Sequence, residues 1–248
     1  MTDAPGSRGA SATSPGRLGK AITRLFMKHA NVSDIEDIAP RFRLVTLEGT
    51  ALCGVTWSPG QKLQIAMGSP FVARTYTPID WDPVAGRTRF LGFAHGDGPG
   101  SEWLLNLGLG DGCEVFGPRS SLDADRAAPP LALFGDETSI GLAYAVVTAR
   151  LAQAVHCYFE VEDAASGRRV LERLALDDAT LVVKHDDARN LQPLGEALDA
   201  FGTAGASFVL TGQAGTIQRL RHRLKDQGVA STRIFSKAYW APGKRGLD

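Results

Sequence analysis

Arg74-Thr75-Tyr76-Thr77-Pro78 and, one hairpin later, His95-Gly96-Asp97-Gly98-Pro99-Gly100-Ser101-Glu102-Trp103 carry the reading of this chain. The first stretch sets a fixed positive charge, an aromatic ring and a hydroxyl within five residues. In an extended strand side chains alternate sides, so Arg74 and Tyr76 share a face, while Thr77 points to the other or bends the chain away. That pattern suits a ligand with an anionic end and a flat ring. The second stretch offers backbone N–H groups in a glycine-rich turn, which a pyrophosphate requires. A flavin dinucleotide has both parts.

Around these motifs the chain divides by texture. From Phe42 to Leu122, short β-rich runs are broken by Gly and Pro: Phe42–Leu47, Lys62–Met67, Arg74–Ile79, Thr88–Ala94 and Cys113–Phe116. Asp82-Pro83-Val84-Ala85-Gly86 carries turn chemistry, so the runs on either side of it form a hairpin. With one short helix over Trp103–Leu107, the pattern predicts a small antiparallel β-barrel.

Asp125–Pro130, with its paired prolines, marks the boundary between a barrel domain (18–124) and a second domain (125–248). Beyond it strands and helices alternate. The strands are Leu131–Phe134, Val155–Val161, Leu181–Lys184, Ser207–Leu210 and Arg233–Trp240, and the helices are Ile140–Leu151, Leu194–Phe201 and Ile217–Lys225. The last helix has Thr216 as candidate cap and Gly228 as stop. Such alternation predicts an α/β domain, a parallel sheet with helices on both faces. Its ligand belongs beyond the carboxyl ends of the strands. After the first strand stands Gly135-Asp136-Glu137-Thr138-Ser139, which lacks G-x-G-x-x-G. Two carboxylates facing a pyrophosphate would repel it. Two readings stay open: the acids favour a helix dipole with Thr138 or Ser139 as cap, or the turn faces a nicotinamide.

The 248 residues hold 27 basic and 27 acidic side chains, so overall charge points neither to nucleic acid nor to an acidic membrane. The balance is local. From Ile217 to Asp248, Arg219, Arg221, Arg223, Lys225, Arg233, Lys237, Lys244 and Arg245 face only Asp226 and Asp248. A polarity of that kind steers anions toward one end. Cys53, Cys113 and Cys157 are widely spaced and read as reduced thiols; with the scattered histidines they outline no metal site. Met1–Arg17 reads as a disordered leader, because it lacks the apolar run of about 7–15 residues of a signal peptide. No later run reaches the roughly 18 apolar residues of a membrane span, and the expected compartment is the cytoplasm.

Arg74-Thr75-Tyr76-Thr77, the His95–Trp103 segment, Gly117-Pro118-Arg119, Phe134-Gly135-Asp136-Glu137-Thr138 and Ala238-Tyr239-Trp240 together resemble the siderophore-interacting protein family, a branch of the ferredoxin-reductase-like flavoproteins. The resemblance runs from Leu18 to Asp248. It implies FAD as cofactor, NADH or NADPH as electron donor, and reduction of a ferric siderophore. It further implies that Arg74 holds the diphosphate, that Tyr76 packs on the flavin, and that the Thr77 hydroxyl reaches the ring nitrogen that accepts hydride. Pro78 follows this motif, and Gly96, Gly98, Pro99, Gly100 and Ser101 form the phosphate loop, with Ser101 also capping the helix after it. His95 is either a structural hydrogen-bonding group or a flavin contact. Thr138 would face the nicotinamide, and Trp240 would lie near the flavin.

Lys62, Arg119, Lys244 and Arg245 are candidates for a basic surface that draws in an anionic iron chelate. Many relatives follow Tyr-Trp directly with basic residues, whereas here Ala241-Pro242-Gly243 intervenes. Lys184, Arg189, Arg219 and Arg221 are candidates for a 2′-phosphate. The same motifs would equally serve a reductase acting on a protein such as ferredoxin or on a quinone. A siderophore-binding module without turnover is a third reading.

Overall fold

In the computed structural model, which describes residues 27–69, 72–96, 98–151, 153–185 and 191–244, the two textures become two sheets. The first contains β1 (Lys28–Ala39), β2 (Phe42–Glu48), β3 (Lys62–Ser69), β4 (Val72–Tyr76), β5 (Pro78–Asp82), β6 (Arg87–Phe93) and β7 (Gly112–Arg119). They pair antiparallel in the order β4-β3-β7-β1-β2-β6-β5. The sheet curls around one core, to which Val32, Leu47, Ile65, Phe90 and Val115 contribute from five different strands. The Tyr76 ring lies 4.4 Å from that of Phe90, so β4 meets β6 through side chains.

The run Arg74–Ile79 breaks at Thr77. Pro78 has no N–H to donate to a ladder, so the chain leaves β4 and re-enters the sheet at its other edge as β5. The Asp82 hairpin forms as expected, with its carboxylate accepting from Val84 N and Ala85 N, both at 2.9 Å. The short helix, α1 (Pro99–Asn106), starts four residues earlier than its apolar pattern indicated. Arg43 secures its far end, donating from Nη1 to the carbonyls of Leu104 and Leu107 at 2.5 and 3.0 Å.

The second sheet is wholly parallel, in the order β10-β9-β8-β11-β12. Its strands are β8 (Leu131–Asp136), β9 (Val155–Val161), β10 (Thr180–Val183), β11 (Ser207–Gln213) and β12 (Ile234–Trp240). Side chains of β8 alternate between two cores. Leu131 and Leu133 face α2 (Ile140–Ala149) and α3 (Ala164–Arg173), whereas Ala132 and Phe134 face α4 (Leu191–Thr203) and α5 (Ala214–Asp226). The first core also takes in Phe42, Leu44, Ile79 and Leu91 of the first sheet, so one apolar cluster joins the two. Arg150 ties down the connecting segment by donating to the carbonyls of Ala124 and Ala127.

One expected helix end differs, and one helix is new. Thr216 lies inside α5, which is capped at Gln213 without a side-chain bond, and the Thr216 hydroxyl donates to Gln213 Oε1 at 3.3 Å. Gly228, at φ +75°, does end the helix region. The α3 helix was not anticipated. Its cap is Asp163, whose carboxylate accepts from Ala165 N and from the N–H and hydroxyl of Ser166.

Those bonds, the Ser166 hydroxyl foremost, hold the Asp163 carboxyl below its ordinary value of 3.8. Its stabilisation is therefore present above that pH and is lost as pH falls through the lowered value. Asp163→Ala is expected to lower the unfolding temperature at pH 7, and the gap to the wild-type protein should close on acidification below about pH 3.8. Thermal melts across a pH series check both parts.

Candidate functional site

The two sheets meet at a cleft of about 280 Å³. Its floor is the carboxyl end of β12 and the turn after β8, the position at which parallel sheets present ligands. The facing wall is the end of β4 with the start of α1.

At one end α1 begins with Pro99 behind Gly98, which is extended at φ −80°, ψ 160° and provides no side-chain cap. Glu102 N reaches back to Gly98 O at 3.1 Å, whereas the N–H groups of Gly100 and Ser101 belong to the first turn and have no acceptor within the helix. Ser101 does not cap the helix, because its hydroxyl donates instead to His95 O at 2.8 Å, holding the preceding loop. The Arg74 side chain lies along this turn. A Cβ on Gly100 would stand 3.1 Å from Arg74 Cγ and 3.3 Å from Nε, so glycine is what lets the guanidinium approach the helix start. One fixed charge and two outward N–H groups form a donor set for a diphosphate.

In the middle, Tyr76 is wedged between Phe90 and Trp103, with ring centroids at 4.4 and 5.9 Å. Burial pushes its phenol well above the usual tyrosine value. The Thr77 hydroxyl donates to Tyr239 Oη at 3.4 Å, across the boundary between the sheets. Beyond them Phe93, His95 and Trp240 form a file of rings, His95 to Trp240 at 5.1 Å. Burial lowers the His95 pKa from 6.5, with nearby Asp136 opposing, so its imidazole is neutral at pH 7.

The turn after β8 resolves the question of its two acids. Both point inward: Asp136 is 1% exposed and Glu137 3%. Asp136 accepts from Thr138 N at 2.9 Å, from the Thr138 hydroxyl at 2.5 Å and from Trp240 Nε1 at 2.7 Å. It is thus the cap of the turn, with Ser139 reciprocating, so neither Thr138 nor Ser139 fills that role as expected. Glu137 accepts from Glu162 N at 2.6 Å and from Lys184 Nζ at 2.5 Å. Burial nevertheless raises its pKa, with Lys184 opposing.

Of the expected residues, Lys62, Arg74, Tyr76, Thr77, His95, Gly98, Pro99, Gly100, Ser101, Thr138, Trp240 and Lys244 all line the cleft. Pro78 and Gly96 adjoin it without lining it. Arg119 turns elsewhere, its guanidinium 4.4 Å over the Phe116 ring and bonded to Gln64 Oε1. Lys184 is engaged with Glu137 and lies 5.9 Å over the Trp240 ring, while Arg219 and Arg221 are exposed on α5. Arg189 and Arg245 lie outside the described residues. Lys237 and Tyr239 line the cleft and were not singled out, although both sit in the Ala238-Tyr239-Trp240 neighbourhood. Among the described residues the lining contains Lys62, Arg74, Lys237 and Lys244 and no carboxylate. Among the described residues no group of His, Cys, Asp and Glu could hold a metal ion, and no helix is long and apolar enough to cross a membrane.

Residues 128–243 match the model of the siderophore-interacting protein family. That segment belongs to the family. The siderophore-interacting protein SipS from Aeromonas hydrophila superposes with a TM-score of 0.71 over 88% of this chain and 93% of its own, at 22% identity. A siderophore utilization protein from T. fusca gives 0.68 over 90% and 95%, at 20% identity. The ferredoxin reductase of carbazole 1,9a-dioxygenase gives 0.70 over 86% and 68%, at 19% identity. These likenesses establish the ferredoxin-reductase-like fold, an antiparallel barrel followed by a parallel α/β sheet. No curated protein matches the chain.

The Asp136–Trp240 bond fixes where the terminal aromatic stands. Asp136→Ala would leave the indole N–H and the Thr138 N–H without their acceptor, at a cost of about 3 kcal/mol. Urea unfolding compared with the wild-type protein measures it, and a cost below about 1 kcal/mol would deny Asp136 that role.

Proposed function

We propose that this protein is an FAD-dependent oxidoreductase in which NADH or NADPH supplies the electrons and the iron of a ferric siderophore receives them. The observation that carries the reading is a cleft whose described lining residues include four cationic side chains and no carboxylate, beside an uncapped helix start, in a chain with no net charge. The family of residues 128–243 and the fold of the whole support it. The limits 18–124 and 125–248 for the FAD-binding and nucleotide-binding domains belong to the same proposal.

Bound FAD would connect a two-electron hydride donor with a one-electron acceptor such as Fe(III). The chain's own residues do the rest. Arg74 offers a planar fork to the diphosphate, and the N–H groups of Gly100 and Ser101 complete the cradle. Tyr76 is a rigid platform whose orientation Phe90 and Trp103 fix. Thr77 would present a hydroxyl to the redox-active edge of the ring. Trp240, held by Asp136, and neutral His95 would shield that edge from water. Lys62, Lys237 and Lys244 would concentrate and orient an anionic chelate at the open side. Arg119, committed to Phe116 and Gln64, would contribute only by leaving them.

The test is spectroscopic. The purified protein under argon is expected to show a flavin spectrum that bleaches with NADH or NADPH and returns on adding a ferric siderophore. Bleaching without return would move the acceptor to a protein such as ferredoxin or to a quinone. Binding of the chelate without nucleotide-accelerated iron release would make the protein a binding module. A colourless protein unable to take up FAD would contradict the reading. Arg74→Ala removes one charge-assisted phosphate contact, and FAD affinity should fall about 10- to 100-fold with the fold intact; flavin titration by fluorescence quenching measures this.

A further inference from the structure

Ala39 pairs with Phe42, so Pro40 and Arg41 form a two-residue turn between β1 and β2. Arg41 stands there at φ +68°, a left-handed conformation that glycine adopts at less cost. The turn gains nothing from an arginine, so the reason for one lies in its side chain. That side chain grips the end of β6. Its Nε donates to Ala94 O at 2.5 Å, the Arg41 carbonyl accepts from Ala94 N at 2.8 Å, and the guanidinium lies 4.7 Å over the Phe93 ring. Across the domain boundary its Nη1 donates to Glu162 Oε2 at 2.5 Å. Glu162 N in turn donates to Glu137, the neighbour of the Asp136 that holds Trp240. Phe93 lines both the cleft and a second cavity of about 80 Å³, so packing alone does not fix its ring.

We infer that Arg41 is a positioning residue: it fastens Phe93 and Ala94 to the end of the parallel sheet and so sets where the His95 ring stands opposite Trp240. The inference rests on the flavin reading above, in which His95 and Trp240 border the ring edge that a hydride donor must reach. A misplacement of about 1 Å in such a site costs up to about 100-fold in rate. The Arg41–Glu162 pair is half-exposed and adds little stability as an ion pair; its part is direction. The diphosphate cradle of Arg74 and α1 is at the other end of the cleft, so FAD affinity does not depend on Arg41. The guanidinium also acts on the imidazole through space. Burial lowers the His95 pKa most; Arg41 and Lys184 lower it further, against Asp136 and Glu162.

The experiment is anaerobic stopped-flow bleaching of FAD-loaded wild-type, Arg41→Gly and Arg41→Lys proteins by NADH and NADPH, with FAD affinity measured for each. Glycine takes the left-handed turn freely, so Arg41→Gly should fold. Lysine keeps the charge without the fork. Both variants should bind FAD as the wild-type protein does and bleach about 10- to 100-fold more slowly at saturating nucleotide. The His95 titration, read from its imidazole signals by NMR, should rise toward 6.5 in Arg41→Gly and stay in place in Arg41→Lys. In a His95→Ala background, Arg41→Gly should slow bleaching no further. Wild-type rates in Arg41→Gly, full rescue by lysine, or equal slowing in both backgrounds would overturn the inference and leave the flavin reading standing. A fall in FAD affinity that matches the fall in rate, or a His95 titration identical in all three proteins, would do the same. A wild-type protein that takes up no FAD, or takes it up and does not bleach, would overturn both.

Discussion

Burying two adjacent carboxylates at the end of the central parallel strand is the constraint around which this molecule is arranged. Asp136 and Glu137 cannot be left uncompensated, since an unpaired buried charge costs several kcal/mol. Their partners come from widely separated elements: the Trp240 indole from β12, the Lys184 ammonium beside β10, and the Glu162 N–H after β9. Satisfying the pair therefore gathers the carboxyl ends of the strands into one polar seam. The seam continues to the first sheet, because Glu162 receives Arg41 Nη1 at 2.5 Å and Arg41 lies 4.7 Å over the Phe93 ring. Domain contact and sheet end are thus set by the same groups.

The electrostatic consequence reaches the cleft. With the acids turned into the seam, the fixed charges that line the cleft among the described residues are Lys62, Arg74, Lys237 and Lys244. A chain of zero formal charge thereby acquires a locally positive site, and partly enclosed charges are screened by salt less than exposed ones. Of the carboxylates that would have repelled a pyrophosphate, Asp136 instead holds Trp240 in place and Glu137 holds Lys184. Neutral His95 adds no charge to the site, so its part is that of a ring in an aromatic file.

Much of this was legible in the residues. Short β-rich runs with the Asp82-Pro83 turn announced a barrel, and alternating apolar runs announced a parallel sheet, because each pattern states how many faces of an element are buried. The Arg74–Thr77 and Gly98–Ser101 motifs were readable since their parts are contiguous. What escaped notice depends on partners far apart. β1 hides because bulges between Val32 and Asp34 and between Asp37 and Ala39 break its period of two. The direction of Asp136 is set by an indole 104 residues away, and no local pattern carries that. Lys237 looks like any strand lysine until the opposing barrel wall turns it into a cleft residue. Arg119 shows the reverse: a motif residue that a neighbouring ring and amide draw aside.

The central claim is that this cleft recognises a flavin chiefly through an anionic diphosphate laid against Arg74 and the start of α1. Calorimetric titration of the protein with FAD and with riboflavin, which has the ring system but no diphosphate, tests it directly. Two charge-assisted contacts lead us to expect FAD to bind about 100-fold more tightly or better. That advantage should shrink as salt is raised from about 50 mM toward 1 M, where screening shortens to about 3 Å. Equal affinity for the two compounds, or an advantage indifferent to salt, would contradict the account.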